Sequence, residues 1–194
     1  MDFVVNFLEG INYIVKNLDI IKIKKFIYEI KKIKKKKGRI FFLGMGGSAG
    51  NCSHAVNDFR KLCEIECYTP TDNVSEFSAR VNDEGLENTF KDWLKISHIN
   101  KKDMIIIFSV GGGDKKRKIS VNLINAIEFS KKKGAKILSI LGKKGGYAEK
   151  NSDLSLIIPN NKKKFITPYS ESLQVVIWHL LISHPILQSK KTIW

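Results

Sequence analysis

Four short apolar runs constrain this chain more than any other feature. Arg39–Leu43 (RIFFL), Met104–Ser109 (MIIIFS), Lys136–Leu141 (KILSIL) and Leu154–Ile158 (LSLII) are apolar without alternation, and each runs on into glycine or proline. A strand with one wet face alternates apolar and polar residues. These runs read instead as strands buried on both faces. Helical spacing fills the stretches 48–63, 86–96, 118–133 and 169–183. Strand–helix alternation predicts an α/β fold, a doubly wound parallel sheet with helices on both sides. Residues 2–17 and 19–37 carry helical apolar spacing ahead of the first strand, with Asp19 placed to cap the second helix. The 194 residues suit one domain over 1–194, with N-terminal helices over 1–37 and an α/β core over 38–186. No internal repeat or Pro/Gly/Ser linker divides it.

Charge and composition exclude several functions. The net charge is +15. Its lysine runs, Lys34–Lys37, Lys131–Lys133 and Lys162–Lys164, lack interleaved aromatics and stand at the ends of expected elements, so they read as solvated surface. No specific nucleic-acid partner follows. No apolar run is long enough to span a bilayer. The opening MDFVVNFLEG has acids and no basic stretch, unlike a signal peptide. Cys52, Cys63 and Cys67 are odd in number and suit core packing in a reducing compartment. The expectation is a soluble cytoplasmic protein.

Parallel sheets bind ligands at the carboxyl ends of their strands. Two such ends are glycine-rich: Gly44-Met45-Gly46-Gly47-Ser48 and Ser109-Val110-Gly111-Gly112-Gly113-Asp114. Glycine lets a backbone approach an anion, and a following helix offers free N–H groups. No Walker lysine follows either loop. The first lacks the third glycine of a dinucleotide loop, so a nucleotide ligand is the weaker reading. His54 and Asp58, four apart, share one helix face. Glu171 and His179, eight apart, share another. Two imidazoles and two carboxylates suit a divalent metal such as zinc, or general acid–base work. A lone histidine on an apolar helix also reads as a packed core residue. His98 and His184 have no such context and are assigned to the surface.

The segment GMGGSAGNCSHAVNDF resembles the Gly-Asn-Gly-Gly-Ser…His-x-x-x-Glu signature of the phosphoheptose isomerase family, which is built on a sugar isomerase (SIS) domain. Val81-Asn82-Asp83-Glu84-Gly85 resembles that family's Asn-Asp segment, SVGGGD its phosphate loop, and SESLQVVIWHLL its final helix. The likeness runs over about residues 2–186. It implies a Rossmann-like doubly wound sheet, a homotetramer with active sites at subunit contacts, and bound zinc. The implied reaction interconverts sedoheptulose 7-phosphate and D-glycero-D-manno-heptose 7-phosphate for heptose in capsule or lipopolysaccharide.

By position, the resemblance implies His54, Asp58, Glu171 and His179 as metal ligands, with Asp58, Glu171 and His179 in catalysis. It implies substrate and phosphate contacts from Met45, Gly46, Gly47, Ser48, Asn82, Asp83, Ser109, Val110, Gly111, Gly112, Gly113 and Asp114. Four positions depart from the family pattern. Met45 replaces an asparagine, Asp58 is shorter than glutamate, Glu171 replaces an amide, and Val110 with Gly111 replaces two hydroxyl positions. A non-catalytic SIS module that senses a sugar phosphate or binds a protein is the alternative reading.

Overall fold

The computed structural model describes residues 2–191 and 193. Met1, Thr192 and Trp194, at the ends of the expected 1–194 domain, lie outside the described residues. Helix α1 (Phe3–Lys16) starts at Asp2, whose carboxylate accepts from the amides of Val4 and Val5. Those are donors that a first helical turn leaves free. Helix α2 (Ile20–Lys35) starts at Asp19, the expected cap, which accepts from Lys22 N. It ends in Lys32, Lys34 and Lys35, cations at the negative end of its dipole.

The chain then alternates through β1 (Ile40–Leu43), α3 (Gly47–Cys63), β2 (Cys67–Tyr68), α4 (Val74–Glu84), α5 (Thr89–Ile96), β3 (Met104–Ser109), α6 (Val121–Lys132), β4 (Lys136–Leu141), α7 (Tyr147–Asn151), β5 (Leu154–Ile157) and α8 (Ile166–Ser183). The five strands form one sheet in the order β2-β1-β3-β4-β5, and every pairing is parallel. One face packs on α1, α2, α3 and α8 through residues such as Ile14, Phe26, Phe59 and Trp178. The other packs on α5, α6 and α7 through Phe90, Leu94, Leu123 and Ala148. Two apolar layers on one parallel sheet make the doubly wound fold that the sequence predicts. Among the described residues no helix is long and apolar enough to cross a membrane.

Four elements depart from the sequence reading, one of them α7, a single short helix of five residues that no expected stretch covers. β2 is an edge strand of two residues, too short to leave an apolar run. α4 has no buried residue, so its sequence carries no apolar stripe. β5 was expected to be buried on both faces, but it lies at the sheet's other edge and buries only Leu156 fully. The order of strands sets the site. β1 lies between β2 and β3, and the helices that follow β1 and β3 lie on opposite faces. The strand ends therefore part there, where open α/β sheets hold ligands.

Candidate active site

The histidines and one carboxylate meet between α3 and α8, two helices packed along each other. Nε2 of His54 and Nε2 of His179 each lie 3.4 Å from the same oxygen, Oδ2 of Asp58. One ligand atom from each residue falls within 4.8 Å of the others. The two imidazoles are solvent-accessible, at 53% and 43% side-chain exposure, while the Asp58 residue is 8% exposed. The carboxylate is thus the floor of the cluster and the histidines its rim.

The floor is held from below. Trp178 Nε1 donates to Asp58 Oδ2 at 3.2 Å, and Asn57 Nδ2 donates to Oδ1 at 3.0 Å. The Trp178 ring lies 1% exposed, stacked at 6.0 Å on Phe108 of β3. It also packs within 5.2 Å of the His54 ring and 5.0 Å of the His179 ring. One indole therefore orients all three polar groups. Its place beside His179 in sequence gave no sign of this, because adjacent helical residues face different ways.

The tautomer of His179 follows from one contact. Its Nδ1 is 2.9 Å from the carbonyl oxygen of Val175. A carbonyl only accepts, so Nδ1 carries the proton and Nε2 of the neutral ring carries a lone pair. That lone pair faces Asp58 Oδ2. Two nitrogens and a carboxylate oxygen aimed at a common space call for a cation or a shared proton among them. Two imidazoles and one carboxylate also form the donor set of a catalytic zinc site with one position left open. The residues present therefore fit a zinc ion.

Glu171 stands elsewhere. A Cβ built on Gly47 would lie 2.4 Å from Glu171 Oε2, so the carboxylate rests against the first residue of α3. A side chain at 47 would push that carboxylate aside. α3 has no side-chain cap, and Glu171 supplies an anion at the positive end of its dipole. Glu171 is outside the His54–Asp58–His179 group. Asn51, one turn into α3, ties the helices by donating to the Glu171 carbonyl at 2.9 Å and to Gln174 Oε1 at 2.8 Å.

The two loops differ. In the first, Met45 turns into the core layer under α5 and α6, Gly46 is exposed and Ser48 is buried. In the second, Ser109 Oγ accepts from Gly112 N at 3.0 Å. Val110 O accepts from Gly142 N, and the carbonyls of Gly112 and Gly113 accept from Ala148 and Tyr147 of α7. Asp114 pairs with Ile119 in a small antiparallel bridge. Asn82 and Asp83 lie exposed in the last turn of α4, hydrogen-bonded to one another at 2.7 Å.

The remaining histidines and thiols lie apart. His98 is exposed, and His184, assigned to the surface, is half-buried and accepts from Ile186 N. Cys52, Cys63 and Cys67 are free and buried. Burial pushes all three thiols up, Cys63 to about 11, which suits packing over metal binding.

No protein-family model matches the chain. Lincomycin biosynthesis protein LmbN of Streptomyces lincolnensis is 31% identical over 154 residues, covering 74% of this chain. The match spans 54% of LmbN, about half its length. A phosphoheptose isomerase of Helicobacter pylori (strain P12) is 29% identical over 150 residues, 75% of this chain and 72% of that protein. The solved structure of phosphoheptose isomerase GmhA from Neisseria gonorrhoeae superposes with a TM-score of 0.78 at 19% identity, covering 92% of this chain and 94% of that one. Sequence relatives and fold agree: the chain is similar to phosphoheptose isomerases in sequence and shares their α/β fold.

Proposed function

We propose that this chain is a sugar-phosphate isomerase that interconverts sedoheptulose 7-phosphate and D-glycero-D-manno-heptose 7-phosphate by way of an enediol. The observation that carries the proposal is the convergence of His54, Asp58 and His179. A binder has no need of two imidazoles facing one carboxylate oxygen, whereas an aldose–ketose exchange must move a carbon-bound proton and an oxygen-bound proton between neighbouring atoms. The names of the curated relatives supply the substrate class.

A base removes the proton from the carbon beside the carbonyl, and the C–H electrons become the enediol double bond. The carbonyl oxygen takes up a proton. Return of a proton to the other carbon, with loss of one from the other oxygen, completes the exchange. Asp58 Oδ2 and His179 Nε2 are adjacent, and we assign the carbon and oxygen protons to this pair. Asp58 is held still by Trp178 and Asn57, as a base that must reach one atom requires. Glu171, at the mouth of the first loop, is the second carboxylate available to the sugar. A zinc ion held by His54, Asp58 and His179 would supply Lewis-acid polarisation of the sugar oxygens, and Glu171, which the family likeness implies as a fourth ligand, stands too far along α8 to join them.

The span between chemistry and loop suits a long sugar. His54 is seven residues from Gly47, about 10 Å along the helix axis at 1.5 Å per residue. An extended heptose phosphate bridges such a distance, with C1 and C2 at the cluster, its chain passing the Met45–Ser48 loop, and the phosphate at the strand-end loop Ser109–Asp114. Asn82 and Asp83 would reach the sugar from another subunit. Exposed Val176 and Leu180 flank His179, and α1 leaves Phe3, Val4 and Leu8 bare. Both faces favour a homotetramer whose contacts complete the site. A monomeric mass by light scattering would oppose that assembly. The product would enter heptose precursors of a capsule or lipopolysaccharide in the cytoplasm.

The test is an NMR time course with sedoheptulose 7-phosphate in deuterated buffer, with and without zinc. An aldoheptose phosphate carrying deuterium at C2 is expected. No conversion in either condition, nor of other sugar phosphates, would favour a non-catalytic sugar-phosphate-binding module.

A further inference from the structure

A cleft of about 240 Å³ opens between the loop after β3 and the loop after β4. Its walls are Gly111, Gly113 and Asp114 on one side and Lys143–Gly146 on the other, with Arg117 and Ile119 at the rim. Lys143, Lys144 and Arg117 form no ion pair among the described residues. The amides of Gly111 and Gly113 have no hydrogen-bond partner among the described residues either. The loop itself is fixed, because its carbonyls hold α7. The cleft thus gathers free donors and free positive charge on a stationary frame. Asp114 is its one carboxylate, and Oδ1 of that group is engaged at 3.1 Å by the amide of Arg117.

Lys143 occupies a particular place. A Cβ built on Gly111 would touch Lys143 Cε at 3.4 Å and lie 4.0 Å from Nζ. The ammonium stands where a side chain at 111 would reach. A family likeness that implies a hydroxyl at 111 meets a glycine here, with a lysine from the next loop in the vacated space. The other anion-binding position is already taken. Glu171 lies against Gly47 at the N-terminus of α3, and a phosphate brought to that turn would meet a like charge.

We infer that Lys143, with Arg117, grips the substrate's phosphate over the glycine loop, in place of the hydroxyl-lined loop that the family likeness implies. This rests on reading the chain as a sugar-phosphate enzyme. The ligand group is a phosphate monoester, a dianion that takes charge-assisted bonds from the ammonium and plain bonds from the Gly111 and Gly113 amides.

Inorganic phosphate is the probe, titrated calorimetrically into wild type, Lys143→Met, Lys116→Met and the double variant Gly111→Ser/Lys143→Met. Lys116 is an exposed lysine of the same loop that does not line the cleft, and it controls for the general positive field. Gly111 has ordinary backbone geometry, so serine fits there without strain. Lys143→Met is expected to weaken phosphate about 10-fold, the scale of one charge-assisted bond. Lys116→Met should stay within about twofold, as for an exposed charge. The added hydroxyl in the double variant should recover part of the loss. Unchanged phosphate affinity in Lys143→Met overturns the inference, and so does an equal loss in Lys116→Met. The two readings fail differently. If only the isomerase is wrong, phosphate still binds through Lys143 while sedoheptulose 7-phosphate is not turned over. If only Lys143 is wrong, turnover persists in Lys143→Met with KM unchanged.

Discussion

The two ends of the sheet treat their charges in opposite ways. Just before β1 and β3, Arg39 and Asp103 close the amino end. The guanidinium meets Asp103 through Nη2 at 2.8 Å and Nε at 3.2 Å, and it also donates to the carbonyls of Ser97 and His98. The carboxylate accepts further from the amides of Arg39 and Asn100. Its hydrogen bond to Asp103 holds Arg39 above its ordinary pKa against the cost of burial. The polar atoms of this pair find their partners within the chain. At the carboxyl end, the side chains of Lys143, Lys144 and Arg117 form no ion pair among the described residues, and the α3–α8 cluster points three atoms at shared space. Groups satisfied inside the chain hold the fold, and groups left facing outward await a ligand.

The largest effect should come from the outward-facing end. His179→Ala is expected to lower kcat by about 10²–10⁴-fold, the usual worth of an acid–base group, or about 3–5 kcal/mol of barrier. The melting temperature should change little, because the imidazole is 43% exposed. Wild-type turnover in this variant would remove His179 from the mechanism. The amino end should show the reverse. Asp103→Ala leaves a partly buried guanidinium without its counter-charge and is expected to cost about 3 kcal/mol of stability, read as a lower urea midpoint, with kcat of the folded fraction unchanged. A fall in kcat without a fall in stability would break the contrast between the ends.

The sequence carried the fold in its period changes. β1, β3 and β4 were legible because strands covered on both faces are apolar throughout, as IFFL, MIIIFS and KILSIL are. α4 was not legible, since a helix that buries nothing needs no apolar stripe. In the site, helical spacing put His54 beside Asp58. That they meet His179 depends on how α3 lies on α8, which no single-helix spacing encodes. The same limit hid Trp178, whose role arises from the partner helix, and Lys143, whose role arises from a loop about thirty residues away. Glu171 shared a face with His179 as expected, yet it serves the far end of that face, because eight residues are about 12 Å of helix.

The smallest of these effects tests whether the cluster owes its geometry to the layer beneath it. Trp178→Phe keeps an aromatic ring between β3 and the histidines and deletes the donor to Asp58 Oδ2. A hydrogen bond to a charged group is worth about 1.5–3 kcal/mol, so kcat should fall roughly 10-fold or somewhat more. Supporting groups around a metal site typically carry 10–100-fold in metal affinity, so zinc titrated with a competing chelator should bind at least about 10-fold more weakly. KM for the sugar phosphate should hold, because the phosphate is gripped at the strand ends and not at the indole. A change in KM equal to the change in kcat would mean that the ring only supports the fold. Loss of kcat and metal affinity at constant KM would mean that the indole aims the carboxylate, and that the outward-facing cluster is shaped by a fully satisfied contact one layer down.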